Sequence, residues 1–133
     1  MKAGDALIDD MDAQGQWVFR KKDGSTWGMI SMPWTYSRWI QTFQLIRRDM
    51  PDDRRQRWTQ ALLLGYGKIA QSCLHYLHNI PAHHAMGLYI AGQTLDRPEW
   101  CRHAAEFLVR IAGTQADGGY PAHFPVQGLR ERS

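Results

Sequence analysis

A chain of 133 residues and 15.4 kDa is one domain's worth of protein, long enough for a real core and too short for two independent ones. With 44% hydrophobic and 22% charged residues the composition is ordinary and globular, which argues against wholesale disorder. The net charge is +3, but the arginines at 47, 48, 54, 55 and 57 are interleaved with Asp49, Asp52 and Asp53, the pattern of a solvated helix junction and not of a nucleic-acid patch.

Nothing in the chain reads as a membrane span, since no run of 18 apolar residues exists. The opening MKAGDALIDDMD carries acids where an export signal needs an apolar stretch, so a cytoplasmic location follows if Met1 is the native start. Cys73 and Cys101 lack metal-type spacing and fall inside helical patterns, as small buried residues do.

Residues 1–30 read as an irregular N-terminal segment. A short helix is expected from Ala3 to Met11, a turn at Gly15, and an extended piece at Trp17, Val18 and Phe19 folding back onto the core. Lys21 to Gly28 is polar and punctuated by glycine, so it is expected as a surface loop anchored by Trp27.

Ser31 ahead of Pro33 predicts a helix start, because the hydroxyl can cap free amides and proline suits the first turn. Tyr36, Trp39, Ile40, Phe43 and Ile46 keep helical spacing until Pro51 ends the ladder. A second helix follows, with Asp52 and Asp53 at its positive end and one face running from Trp58 through Leu62, Tyr66 and Ile69 to Cys73 and Tyr76. Gly65 and Gly67 interrupt it at about 1 kcal/mol each, which predicts a bend or the close approach of a neighbour.

Pro81 opens a third helix to Leu95 that is apolar on nearly every side, and burial on nearly every side is expected. Asp96 and Glu99 bracket Pro98 in the manner of a capping box. The fourth helix carries Trp100, Ala104, Phe107, Leu108 and Ile111 on one stripe and ends near Gly113, leaving a turn-rich tail at 114–133. Short links between long helices force antiparallel neighbours, so the fold class is all-α, a single domain built from αα-hairpins.

The densest chemistry lies in HNIPAHHAMGLY, residues 78–89. Asn79 and His83 are four apart across a helix start and can share one mouth, although the simpler reading of Asn79 is as the cap of the helix that Pro81 begins. His75 and His78, three apart, have the spacing of a zinc pair but no acidic partner nearby; no metal or other cofactor is implied. Of the tryptophans, Trp39, Trp58 and Trp100 sit on helical stripes as core residues, whereas Trp27 and Trp34 lie at loops and are the candidates for ligand stacking.

Two segments, NIPAHHAMGLYIAGQTLDRPEW and AAEFLVRIAGTQADGGYPAHFP, resemble the α/α-toroid polysaccharide lyases of the heparinase and alginate lyase type. Gln115, Asp117, Gly118, Gly119, Tyr120 and Pro121 are similar to the Gln…Gly-Gly-aromatic turn of toroidal pectate lyases and terpenoid cyclases, and Asp12, Gly15 and Trp17 make a degenerate earlier copy. The resemblance spans roughly Ser31 to Pro125 and implies a partial toroid, since the chain holds about two hairpins where the family has about six.

It also implies β-elimination on an acidic polysaccharide or oligosaccharide. Asn79 would neutralise the uronate carboxylate and His83 or His84 would remove the C5 proton. Tyr120 or Tyr36 would return a proton to the leaving oxygen, and Arg38 would be a second anion contact. His123 is placed at the same mouth by chain proximity. Truncated hairpins leave an apolar edge, so self-association of the chain is the further expected partnership. The alternative reading is a non-catalytic helical module that binds glycan or a protein partner.

Overall fold

The computed structural model describes residues 1–77 and 79–114. It is mainly helical. The described residues form α1 (Lys2–Asp10), β1 (Trp17–Arg20), β2 (Thr26–Ile30), α2 (Pro33–Ile46), a single 3-10 turn (Arg47–Asp49), α3 (Asp52–Ser72), α4 (Asn79–Thr94) and α5 (Pro98–Gly113).

Residues 1–30 are more regular than expected. α1 forms where the sequence placed a helix, and the segment read as a loop from Lys21 to Gly28 is instead the turn and second strand of an antiparallel hairpin. Trp17 pairs with Ile30, Val18 with Met29 and Arg20 with Thr26, with a bulge between Val18 and Arg20. The reversal uses Gly24 at φ +87°, a left-handed conformation that glycine adopts without strain. The Asp23 carboxylate accepts from the backbone and hydroxyl of Ser25, which lowers its pKa.

Aromatic packing makes the core. Tyr36, Trp39 and Phe43 from α2 meet Trp58, Leu62 and Tyr66 from α3, with Trp39 and Trp58 edge to face at 5.8 Å and Tyr36 and Tyr66 at 5.3 Å. α4 is the central helix, lying along α2 on one side and α5 on the other. Glycines permit these approaches. A side chain at Gly65 would run into the Tyr36 hydroxyl, one at Gly87 into Tyr66, and one at Gly92 into Cys101 of α5. The expected close approach at Gly65 is thus present; Gly67 faces open space and nothing in the structure explains it.

α1 is fastened to α3 by Arg54–Asp5 (3.1 Å), by Arg57–Asp9, and by the Trp58 indole, which donates to Asp5 at 2.8 Å. Arg55 pairs with Asp52, and Arg47 donates to the Thr94 carbonyl, so four of the five arginines in the basic run are occupied within the fold. The turn Asp12–Trp17 is well built. The Asp12 carboxylate accepts from the Gln14 and Gln16 amides, Gly15 turns at φ +73°, and the Trp17 indole donates back to Leu7.

Three helix starts differ from expectation. Ser31 does not cap α2, because Met32 is the cap residue and the Ser31 hydroxyl accepts from Gln16. α4 begins two residues before Pro81, which makes Asn79 its first helical residue. Asp96 does not cap α5 either. It sits at φ +57° and closes α4, with the Arg97 amide donating to the Gly92 carbonyl at 2.8 Å in the six-residue closure of a Schellman turn, and Arg97 becomes the cap residue of α5.

α4 is not dry all round. Leu88 is fully buried, but Met86 is 50% and Tyr89 40% exposed on the side that no described helix covers. The helix is apolar in composition yet carries one open face. Tyr76, expected at the end of the α3 stripe, lies past the end of that helix and is exposed.

Candidate functional site

The two helix starts that carry the predicted chemistry face each other. At the start of α4, Asn79 and His83 are one turn apart; at the start of α2, Trp34 and Arg38 are also one turn apart. The Trp34 and His83 rings join these pairs, with centroids 5.1 Å apart and planes tilted by 47°. Asn79, His83, Trp34 and Arg38 therefore form one row across the α2–α4 seam. Asn79, Trp34 and Arg38 are exposed and His83 is half-buried. Arg38 is exposed and forms no ion pair among the described residues.

Beyond Trp34 the row opens into a groove of about 370 Å³ between α1 and α2. Leu7 and Ala3 of α1 make one wall, Trp34, Arg38 and Thr42 of α2 the other, and Trp39 and Trp58 lie at its base. No acidic side chain among the described residues lines it. The buried Trp39 indole N–H has no partner among the described residues.

The paired histidines part company. His83 goes to the row, while His84, 4% exposed, points into the core against Ser31. Burial, helped by the neighbouring His83, lowers its pKa to about 4 against a weaker opposing contact with the Ser31 backbone, so His84 is neutral at physiological pH. Its Nδ1 has no partner among the described residues. Of the two imidazoles offered as a base, only the half-buried His83 reaches the row.

Tyr36 is not available to a substrate. It is wholly buried, its hydroxyl donates to the Gly15 carbonyl, and burial, then the charges of Asp12 and Cys73, push its pKa up. The phenol is a pin between α2 and the Asp12–Trp17 turn. Cys73 packs near Ser31, and burial raises its thiol pKa against the weaker effects of Ser31 and Lys68, which leaves it protonated and unreactive.

Trp27 lies apart from the row. It stacks on Phe19 at 4.7 Å with planes 13° apart, carries the Lys21 ammonium 5.5 Å from its centroid, and lines no part of the α1–α2 groove. Its expected role as a loop anchor is also replaced, since the ring is 62% exposed on β2. Tyr120 and His123 fall outside the described residues, as do His78 and the Gln115–Pro121 turn. No cluster of metal-ligating side chains occurs among the described residues. No helix there is long and apolar enough to cross a membrane.

The groove itself was missed in the sequence. Its α1 wall comes from residues some thirty positions before Trp34, and no periodicity links the two. The exposed Trp34–Arg38 spacing was the only local signal. Comparison with protein families, curated proteins and solved structures finds no match to this chain.

Proposed function

We propose that this domain is part of an α/α-toroid carbohydrate-active protein and holds an acidic oligosaccharide along the row Asn79–His83–Trp34–Arg38. The observation that carries the reading is the Trp34–His83 contact, which turns two separate helix starts into one ligand-sized surface. Trp34 offers a partly exposed indole to a pyranose ring, Arg38 a guanidinium with no ion pair among the described residues to a uronate carboxylate, and Asn79 amide donors beside the positive end of α4. Titration with a uronate hexasaccharide, followed by calorimetry, tests it. Binding that is weakened in Arg38→Met and Trp34→Ala supports the site; affinity unchanged in both variants refutes it.

The placement of Asn79 and His83 favours a second reading, in which the same row performs β-elimination. Asn79 would hold the carboxylate, His83 would take the C5 proton, and the electron pair of the C5–H bond would form the C4–C5 double bond while the glycosidic oxygen leaves C4 with a proton. Tyr120 is the donor the resemblance supplies for that proton, since Tyr36 is committed to Gly15. Unsaturated-uronate absorbance on incubation with alginate, a heparinoid or pectate, abolished in His83→Ala, supports catalysis. Binding without absorbance leaves a binding module.

A further inference from the structure

We propose that the α1–α2 groove is a binding site for a small aryl carboxylate, with the carboxylate at Arg38 and the ring against the groove's tryptophans. The proposal goes beyond the glycan reading and stands without it, since this ligand is not a sugar. Charge complementarity singles out an anion. Among the described lining residues Arg38 and the α-amino group of Met1 bring positive charge, Thr35 and Thr42 bring hydroxyls, and no carboxylate is present. Arg38 is exposed and makes no ion pair among the described residues, and its planar fork matches a carboxylate in two parallel hydrogen bonds.

Two further features point the same way. α1 has no side-chain cap, and Met1, Ala3 and Gly4 at its start line the groove, so its positive end and uncapped amides favour negative charge there. That end is held in place. The Asp5 carboxylate is occupied by Arg54 at 3.1 Å and by the Trp58 indole at 2.8 Å, and a side chain at Gly4 would enter the Trp58 ring. At the groove's base Trp39 is 5% exposed and its indole N–H has no partner among the described residues, a buried donor that calls for an acceptor. Leu7 and three tryptophans supply the apolar remainder, a surface for one flat ring. The volume, about 370 Å³, is at the small end of ligand sites and suits a small molecule.

The test titrates the 133-residue chain with phenylacetate, phenylacetamide and acetate, and follows the tryptophan indole N–H signals in nitrogen–proton correlation spectra. Phenylacetate should shift the Trp34 and Trp39 signals saturably, leave Trp27 unmoved, and bind about tenfold tighter than the amide, the order of one charge-assisted contact. Acetate, which keeps the charge and lacks the ring, should not saturate. Arg38→Gln should remove most of the acid's advantage over the amide. Ala3→Phe and Thr42→Phe fill the groove from opposite walls at exposed positions, and each should abolish binding while thermal melts confirm folding. No saturable shift, equal affinity for acid and amide, or binding that survives both folded groove variants overturns the proposal. None of these results alters what the hexasaccharide titration says of the row, so the two readings fail separately.

Discussion

Trp34 and Trp27 are both exposed tryptophans near a cation, and their surroundings make them different objects. Trp34 stands at the seam of two long helices, touches His83, and shares a groove with Arg38. Trp27 stands on a two-stranded ribbon, where Phe19 stacks on its ring and Lys21 stands over it. Exposure of an aromatic ring is therefore a weak guide to a site. What matters is whether rigid, independently anchored elements bring different chemistries to the same ring.

The contrast in rigidity is open to direct attack. Gly65→Ala would drive a methyl into the Tyr36 hydroxyl under the helical seam, and we expect a loss of about 3 kcal/mol in urea unfolding. Gly24→Ala, at φ +87° in open space on the ribbon, should cost only about 1 kcal/mol. Equal costs would mean that the seam is no more tightly packed than the hairpin.

His84 gives the seam a pH signature in the range where histidine titrates, whereas the lowered Asp23 carboxyl of the ribbon acts only at more acid pH. Its folded pKa, about 4, is below the unfolded value near 6.5, so between these values the unfolded chain binds the extra proton and stability falls as pH falls. Urea midpoints should drop by the equivalent of roughly 2 kcal/mol from pH 7 to pH 5. His84→Gln should remove that part of the slope; an unchanged slope in a folded variant would place the proton uptake elsewhere.

Ligand binding should separate the two tryptophans. Trp34→Ala is expected to weaken an acidic oligosaccharide about tenfold, and Trp27→Ala less than about twofold. The reverse order would move the site to the hairpin.

The smallest effect comes from the α4–α5 corner that holds His83's helix in place. Asp96→Gly relieves a left-handed residue and should raise stability by about 0.5 to 1 kcal/mol without changing ligand affinity. A loss of stability would show that the Asp96 side chain does more for the corner than its backbone strain costs.

The long helices were legible because their burial has a 3.6-residue period, visible in Tyr36–Trp39–Ile40–Phe43 and in Trp100–Ala104–Phe107–Ile111. The β2 strand was not, since Thr26 to Met29 is exposed on both faces and has no burial to alternate. α4 misled in another way: its composition is apolar all round, and composition does not say that Met86 and Tyr89 face outward. At Asp96, aspartate suits both a cap and a left-handed helix end, and only the Arg97–Gly92 hydrogen bond distinguishes them.

At the site, the spacing of Asn79 and His83 and of Trp34 and Arg38 was visible within each helix start. Which helix starts would meet was not, because that depends on α4 crossing back along α2. The partition of His83 to the surface and His84 to the core was hidden for a similar reason. Adjacent residues on a helix point about 100° apart, and tertiary packing selects which one is buried.

A double-mutant cycle on Trp34 and His83 addresses the shared surface most directly, with calorimetric affinity for a uronate hexasaccharide measured in wild type, Trp34→Ala, His83→Ala and the double variant. Two side chains contacting one ligand and each other should be non-additive, with a coupling of about 1 kcal/mol. Strict additivity, or affinity untouched by either substitution, would contradict a single site across the α2–α4 seam.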